Sequence, residues 1–113
     1  MGLAKDRRLR EPLLFKRLFK RGFLLKTKIY GIRALPNDLG YGRLAVLVSK
    51  KSLKRAVDRH CLKRLCQEAF RHSSAFFSPQ DYLISLNKQG VKPRERRFLF
   101  HRLKEDFKSL AKA

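Results

Sequence analysis

Acidic residues are scarce in this chain of 113 residues, with nine Asp and Glu against twenty-nine Lys and Arg and a formal net charge of +20. Repulsion among so many like charges predicts a polyanionic partner: RNA, DNA, an anionic membrane or an acidic protein. Most of the carboxylates stand near Arg or Lys, which is typical of solvated pairs on helix faces rather than of general acids or bases. No nucleophile arrangement or phosphate loop accompanies them, so the sequence predicts no catalytic residue carried by the protein itself.

Long apolar runs are also missing. The longest, Leu44–Val48, has far fewer than the roughly 20 residues needed to span a bilayer. No apolar stretch follows the basic residues between Met1 and Arg10, so we expect no secretory signal, no membrane partner and a cytoplasmic location. The two cysteines, Cys61 and Cys66, point about 140° apart on a helix, which excludes a disulfide between them. Their spacing to His60 and His72 lacks the usual zinc pattern, so we expect reduced, partly buried thiols.

Proline and glycine residues mark the boundaries of six predicted elements in the order α-β-β-α-β-α. The first helix is predicted from Pro12 to Arg21, with Gly22 after it, and a last helix opens at Pro93. A core stripe is expected at Leu99, Leu103, Phe107 and Leu110. Strands are predicted at 26–35, 43–49 and 81–86, and a central helix at 52–71 with Ser52 as its N-cap. The order indicates one sheet with helices packed against it, in a single domain spanning 1–113 whose residues 1–10 are mobile.

The central helix is the strongest functional signal. At 100° per residue, its apolar residues fall within roughly 180° and its basic residues within a facing arc of roughly 140°. The apolar arc contains Val57, Cys61, Leu62, Leu65, Cys66 and Ala69, and the basic arc contains Arg59, His60, Lys63, Arg64 and Arg71. Lys50, Lys51, Lys54 and Arg55 extend the charge into the preceding turn. A helix attached to a core on one side and cationic on the other predicts phosphate binding that weakens steeply with salt.

Aromatic residues suggest which nucleic acid is bound. Phe15, Phe19 and Tyr30 lie in segments rich in Lys and Arg. Their ordinary role is core packing, but a ring at the edge of a cleft beside cations can stack an unpaired base without requiring a particular sequence. This arrangement favours single-stranded RNA over a DNA major groove.

Several motifs in this order resemble the protein subunit of bacterial ribonuclease P. That family has a helix of pattern Arg-Asn-Arg-x-Lys-Arg-x-x-Arg-Glu-x-Phe-Arg after a strand ending in Ser-Lys-Lys. Here Val48–Lys51 is similar to the strand end, and the stretch from Ala56 to Arg71 is similar to the helix. Phe15–Gly22 resembles the family's Phe-x-x-Val-Phe-x-x-Gly segment, and Asp81–Ile84 with Lys88–Gly90 resembles its last strand and following loop.

The resemblance implies an α+β fold, a two-layer α/β sandwich with a left-handed β-α-β crossover. It implies that a large partner RNA is the catalyst, using Mg²⁺ to remove the 5′ leader of precursor tRNA. The protein would then be a non-catalytic subunit that binds the catalytic RNA and the leader. The resemblance further implies that RNA is bound by Lys50, Lys51, Lys54, Arg55, Arg59, His60, Lys63, Arg64, Gln67 and Arg71. It also implies that the leader cleft contains Phe15, Phe19 and Tyr30.

The chain departs from the family pattern at three positions. His60 replaces the family's asparagine, while Cys61 and Gln67 replace two arginines. A metal role linked to the asparagine therefore does not transfer to His60, and no metal-binding position is assigned. Other functions stay open on the residues alone: a general RNA-binding protein of ribosomal type, a DNA-binding module, or a nuclease that needs no RNA.

Overall fold

The computed structural model describes residues 7–9, 11–48, 53–86 and 96–112, without the side chains of residues 96 and 97. Lys50, Lys51, Ser52 and Pro93, all named in the sequence predictions, lie outside the described residues. The elements follow in the order α1 (Pro12–Arg21), β1 (Phe23–Lys26), β2 (Tyr30–Pro36), β3 (Arg43–Leu47), α2 (Ala56–Arg71), a short 3-10 helix (Ser74–Phe77), β4 (Gln80–Leu86) and α3 (Arg96–Lys112). The predicted α+β class is confirmed.

The four strands form one sheet in the order β1-β2-β4-β3. β2 pairs antiparallel with both β1 and β4, whereas β3 pairs parallel with β4. A parallel pair cannot be joined by a tight hairpin, so the chain must cross over between β3 and β4. α2 and the 3-10 helix make that crossing, which brings the cationic helix against the sheet.

The single strand predicted at 26–35 is wrong, because two strands joined by a turn occupy this region. Thr27 builds the turn: its hydroxyl oxygen accepts hydrogen bonds from the N–H groups of Ile29 (3.3 Å) and Tyr30 (3.1 Å). Its own N–H donates to the carbonyl oxygen of Tyr30 at 2.8 Å. A threonine hydroxyl can substitute for backbone partners in this way, and it interrupts a strand that the apolar pattern alone would continue.

The main core lies between one face of the sheet and the helices α2 and α3. Successive strand residues point to opposite faces, and Tyr30, Ile32 and Ala34 of β2 point into this core. The predicted stripe on α3 is confirmed, since Leu99, Leu103, Phe107 and Leu110 are all buried. Phe70 of α2 lies at the centre, with the rings of Phe76, Tyr82 and Phe107 in edge contact at centroid distances of 5.8, 5.7 and 5.5 Å.

α1 packs on the opposite face of the sheet, where Leu18 is buried against Leu9, Ala45 and Leu83. Helices therefore cover both faces, and α1 adds a partial third layer to the two predicted ones. The predicted bounds of α1 are confirmed. Gly22 ends it for a steric reason: its backbone is extended, and a Cβ there would lie 2.5 Å from the carbonyl oxygen of Leu18.

Residues 7–9, which the sequence predicted to be mobile, are held against the edge of the sheet. Arg8 forms a parallel bridge with Leu44, and the Leu9 N–H donates to the Leu44 carbonyl oxygen at 3.0 Å. The Arg7 guanidinium lies 3.8 Å from the ring centroid of Phe76 and donates to the Phe76 carbonyl oxygen at 2.6 Å. This segment therefore covers part of the outer edge of β3, whose backbone hydrogen-bonding groups would otherwise be unpaired.

Candidate RNA interface

α2 presents one apolar side to the core and one cationic side to solvent. Leu62, Cys66, Ala69 and Phe70 are its buried residues. The side chains opposite them define the α2 cationic face: His60, Lys63, Arg64 and Arg71, all exposed, with the half-buried Gln67 among them. The core contacts of α2 fix its backbone, so these side chains all extend from one side of a rigid helix.

The buried side of α2 is rotated relative to the predicted apolar arc. Val57 and Cys61, predicted to face the core, are exposed, Val57 to 62%. Phe70, which the prediction left off that arc, is fully buried. Burying a phenylalanine ring among three other rings removes more apolar area from water than burying Val57 would, so Phe70 determines the orientation of the helix.

Arg59 has a structural role that the sequence did not predict. Its Nη1 donates to the carbonyl oxygens of Leu53 and Lys54, both at 2.9 Å. Within the described residues the N-cap residue of α2, Arg55, makes no side-chain capping hydrogen bond, and Arg59 tethers the turn that carries Lys54 and Arg55. Both of those residues are exposed, as a role in phosphate binding requires. Part of the Arg59 guanidinium is therefore engaged within the protein, unlike Lys63 and Arg64.

Replacing Arg59 by glutamine is expected to lower the free energy of unfolding by about 1–2 kcal/mol, because two hydrogen bonds to the turn are lost. Urea denaturation of the variant and the wild type measures this difference. The matched variant Lys63→Gln removes one charge from the same helix at a side chain that makes no hydrogen bond or ion pair with a described residue, and it should unfold at the wild-type urea concentration. Equal stabilities for both variants would contradict the tether.

Two further cations, Arg43 and Arg7, form hydrogen bonds within the protein. The Arg43 guanidinium makes two hydrogen bonds to the buried Asp81 carboxylate, both at 2.9 Å, and Asn37 donates to the same carboxylate at 2.8 Å. The hydrogen bond to Asp81 raises the pKa of Arg43. Arg7 is held as described above. On α2, Glu68 pairs with Arg71 at 2.9 Å, but both groups are at the surface, where such a pair contributes little.

A second candidate surface lies beside α1, on the sheet face opposite α2. The Phe19 ring is 50% exposed, and the Arg33 guanidinium of β2 lies 4.4 Å from its centroid. Leu24 pairs with Arg33 across β1 and β2, so both point to this side of the sheet. We call this surface the α1 groove and define it by Phe15, Phe19, Leu24, Lys26 and Arg33. An exposed ring with a cation on one face is suited to stacking an unpaired base near a phosphate.

The sequence-predicted members of this surface do not all reach it. Phe15 is half-buried and packs against the cluster around Leu18 and Leu83, so only part of its ring is open. Tyr30 is fully buried and its hydroxyl donates to a carboxylate oxygen of Asp106 in α3. Burial, followed by this hydrogen bond, raises the pKa of Tyr30. Assigning Tyr30 to the leader cleft is therefore wrong, because its ring points into the core and cannot stack a base.

Sequence reasoning missed Arg33, Leu24 and Lys26. A signal for them was present in the alternation of β2, where Tyr30, Ile32 and Ala34 are buried and Arg33 lies between them. Period two places Arg33 on the face opposite the core. Recognising Leu24 and Lys26 also required β1, whose existence depends on the Thr27 turn.

The two thiols differ in environment. Cys61 is exposed on α2, whereas Cys66 is buried and its burial raises the pKa of its thiol to about 12. Since the thiolate is the reactive form, a maleimide at pH 7.5 should modify Cys61 in the folded protein and spare Cys66 until denaturant is added. Mass spectrometry of the native and unfolded protein counts the adducts. Two adducts on the folded protein would contradict the burial of Cys66.

The described residues do not fit a protein-held magnesium site. Among them, no three His, Cys, Asp or Glu side chains lie close enough together to hold a metal ion. In the same part of the chain, no helix is long and apolar enough to cross a membrane.

Together the fold and these surfaces define a basic α+β protein suited to binding nucleic acid. Residues 3–112 match the family model described as Ribonuclease P, and the chain belongs to this family. The ribonuclease P protein component of Pasteurella multocida is 38% identical over 99 residues, covering 88% of this chain and 82% of that protein. The solved RNase P protein of Staphylococcus aureus is 26% identical with a TM-score of 0.70, covering 90% and 96% of the two chains. That of Thermotoga maritima, at 24% identity and a TM-score of 0.68, has the same fold.

Proposed function

We propose that this chain is the protein subunit of ribonuclease P, in which it binds the catalytic RNA and the 5′ leader of precursor tRNA. Family membership supports a role in tRNA processing with an RNA partner. The observation that carries the residue-level proposal is the α2 cationic face, since Lys63 and Arg64 stay exposed on a helix whose other side is buried. Lys50 and Lys51 belong to the same proposed contact by resemblance.

The leader is assigned to the α1 groove. Phe19 offers an open ring for stacking, and Arg33 and Lys26 supply charges for the phosphates that follow. Stacking does not depend on base identity, which suits a leader whose sequence differs between precursors. In this proposal Mg²⁺ is held by the RNA, the RNA performs the cleavage in the cytoplasm, and the protein positions the substrate.

Reconstitution tests the proposal. The purified chain is mixed with a bacterial ribonuclease P RNA and precursor tRNA at low Mg²⁺, and 5′ cleavage is measured with and without protein. We expect stimulation by the protein, no cleavage by the protein alone, and tighter binding of precursor than of mature tRNA to the complex. No stimulation across magnesium and salt titrations would refute the subunit role.

The remaining outcomes separate the alternatives. Equal affinity for precursor and mature tRNA would favour a general RNA-binding protein, and cleavage without added RNA would indicate a protein nuclease. Sequence-selective binding to a DNA duplex would indicate a DNA-binding module. Within the proposed complex, Phe19→Ala should reduce the preference for precursor over mature tRNA, whereas Phe77→Ala, which removes a ring exposed to 72% elsewhere, should leave that preference unchanged.

A further inference from the structure

The outward side of α1 carries a second concentration of positive charge. Lys16, Arg17, Lys20 and Arg21, which we call the α1 outer face, are all exposed. Lys16 and Lys20 lie opposite the buried Leu18, whereas Arg17 and Arg21 lie at its flanks, and Arg17 also lines a surface pocket with Asp38 and Asp81. None of the four side chains makes a hydrogen bond or an ion pair with any residue that the structure describes. The nearest acidic residue along the chain, Glu11, stands just before the helix.

The fold alone does not account for these charges. Cations in the last turn of a helix interact favourably with its dipole, which explains Lys20 and Arg21 but not Lys16 and Arg17. Lys16 with Lys20 and Arg17 with Arg21 are like-charge pairs four residues apart, a spacing at which they repel each other. The free protein therefore carries repulsion on this helix that a bound polyanion would relieve.

The position of α1 separates this face from the α2 cationic face. α1 packs on one side of the sheet through Leu18, and α2 packs on the other side through Leu62, Cys66 and Phe70. The two cationic surfaces point away from the sheet in opposite directions. A single short segment of RNA that lies on one of them cannot contact the other.

α3 does not offer a comparable surface. Its exposed side carries Lys108 and Lys112, but Glu105 lies on the same stretch of the helix. Lys104 is placed over the ring of Phe100, with its Nζ 5.4 Å from the centroid. Among the helix side chains that the structure describes, the largest group of exposed cations without an ion pair to a described carboxylate thus lies on α1.

We propose that the α1 outer face binds the phosphate backbone of a second RNA segment, separate from the segment on the α2 cationic face and from the leader in the α1 groove. This inference rests on the proposed function, because it takes RNA as the partner. The phosphates come from either the catalytic RNA or the body of the tRNA. The protein then joins two RNA segments across its sheet.

The test compares two double variants that each remove two charges. Lys16→Gln with Lys20→Gln alters the α1 outer face, and Lys108→Gln with Lys112→Gln is the matched control on α3. Glutamine and lysine have similar helix propensities, so both variants should keep the wild-type circular dichroism spectrum. Affinity is measured as a function of salt for the catalytic RNA alone, for mature tRNA alone, and for the assembled complex with mature or precursor tRNA.

We expect the α1 variant to lower the slope of log affinity against log salt by about two for at least one of the leaderless RNAs, with the α3 control unchanged. The arm that shows this loss identifies the source of the phosphates. Added to Lys63→Gln, the α1 substitutions should lower the slope further by the same amount, because the sites are distant and independent.

Three results would overturn the inference while leaving the subunit role intact. The first is an unchanged slope in the α1 variant when Lys63→Gln reduces it. The second is an equal loss in the α3 control, which would indicate a general effect of net charge. The third is a loss confined to precursor tRNA, which would assign these cations to the leader. Absence of RNA binding by the wild type would instead refute the proposed function.

Discussion

Replacing Lys63 and Arg64 together by glutamine is expected to weaken binding to the catalytic RNA by more than 100-fold at low salt. Both side chains are exposed on the α2 cationic face and make no hydrogen bond or ion pair with a described residue that a substitution would remove. A charged hydrogen bond contributes about 1.5–3 kcal/mol, so losing two costs at least 3 kcal/mol, or about two powers of ten in affinity. Filter binding across a salt series measures the loss and its slope.

The same measurement shows whether the effect is electrostatic. The slope of log affinity against log salt should fall by about two, because two counterions fewer are released. The free energy of unfolding should stay within about 0.5 kcal/mol of the wild-type value, as is usual for surface substitutions. A variant with unchanged affinity, or one that binds weakly only because it is unfolded, would contradict the assignment of this face to RNA.

Replacing Phe70 by alanine is expected to lower the free energy of unfolding by about 3–5 kcal/mol. Phe70 is fully buried and contacts the rings of Phe76, Tyr82 and Phe107, which connect α2, the 3-10 helix, β4 and α3. Removing the ring leaves a cavity at the point where these elements meet. Since a small domain has only about 5–15 kcal/mol of stability in total, urea denaturation should show a large shift of the midpoint.

Two companion variants make this prediction specific. Phe70→Leu keeps much of the apolar volume and should lose less stability than the alanine variant. Phe77→Ala removes a ring that is 72% exposed and should unfold close to the wild type. Similar losses for Phe70→Ala and Phe77→Ala would show that Phe70 is not the residue that fixes α2 to the core. RNA binding by Phe70→Ala should fall as its folded fraction falls.

The three solvent-facing cations of the α2 cationic face were predictable because they depend on local periodicity. Lys63, Arg64 and Arg71 occupy one side of any helix drawn through 56–71, and all three are exposed. Arg59 was not predictable in the same way. Its helical angle lies between those of the buried Cys66 and Phe70, and its partners are two carbonyl oxygens of the preceding turn, whose backbone path no periodicity specifies.

The α1 groove illustrates the opposite case. Phe19 was predictable as an aromatic among cations, but its exposure and its Arg33 partner depend on how α1 lies across β2. Tyr30 shares the composition of its surroundings with Phe19 and yet is buried. Its hydroxyl donates a hydrogen bond to Asp106, which is 76 residues away along the chain. This hydrogen bond offsets the free-energy cost of burying the hydroxyl group.

The elements that depend on near neighbours could be predicted from the amino-acid pattern: α1 from Pro12 to Arg21, the buried stripe of α3, and a central helix that is cationic along one side. Long-range packing determines the rotation of α2 and the burial of Tyr30, whereas local hydrogen bonds of the Thr27 hydroxyl divide one predicted strand into two. Periodicity predicts which side of a helix is apolar, with an error of a residue or two at the boundary of that side. Which residue at its margin is buried depends on the shape of the opposing surface, and Phe70 fits the ring cluster formed by β4, α3 and the 3-10 helix where Val57 has no comparable partner.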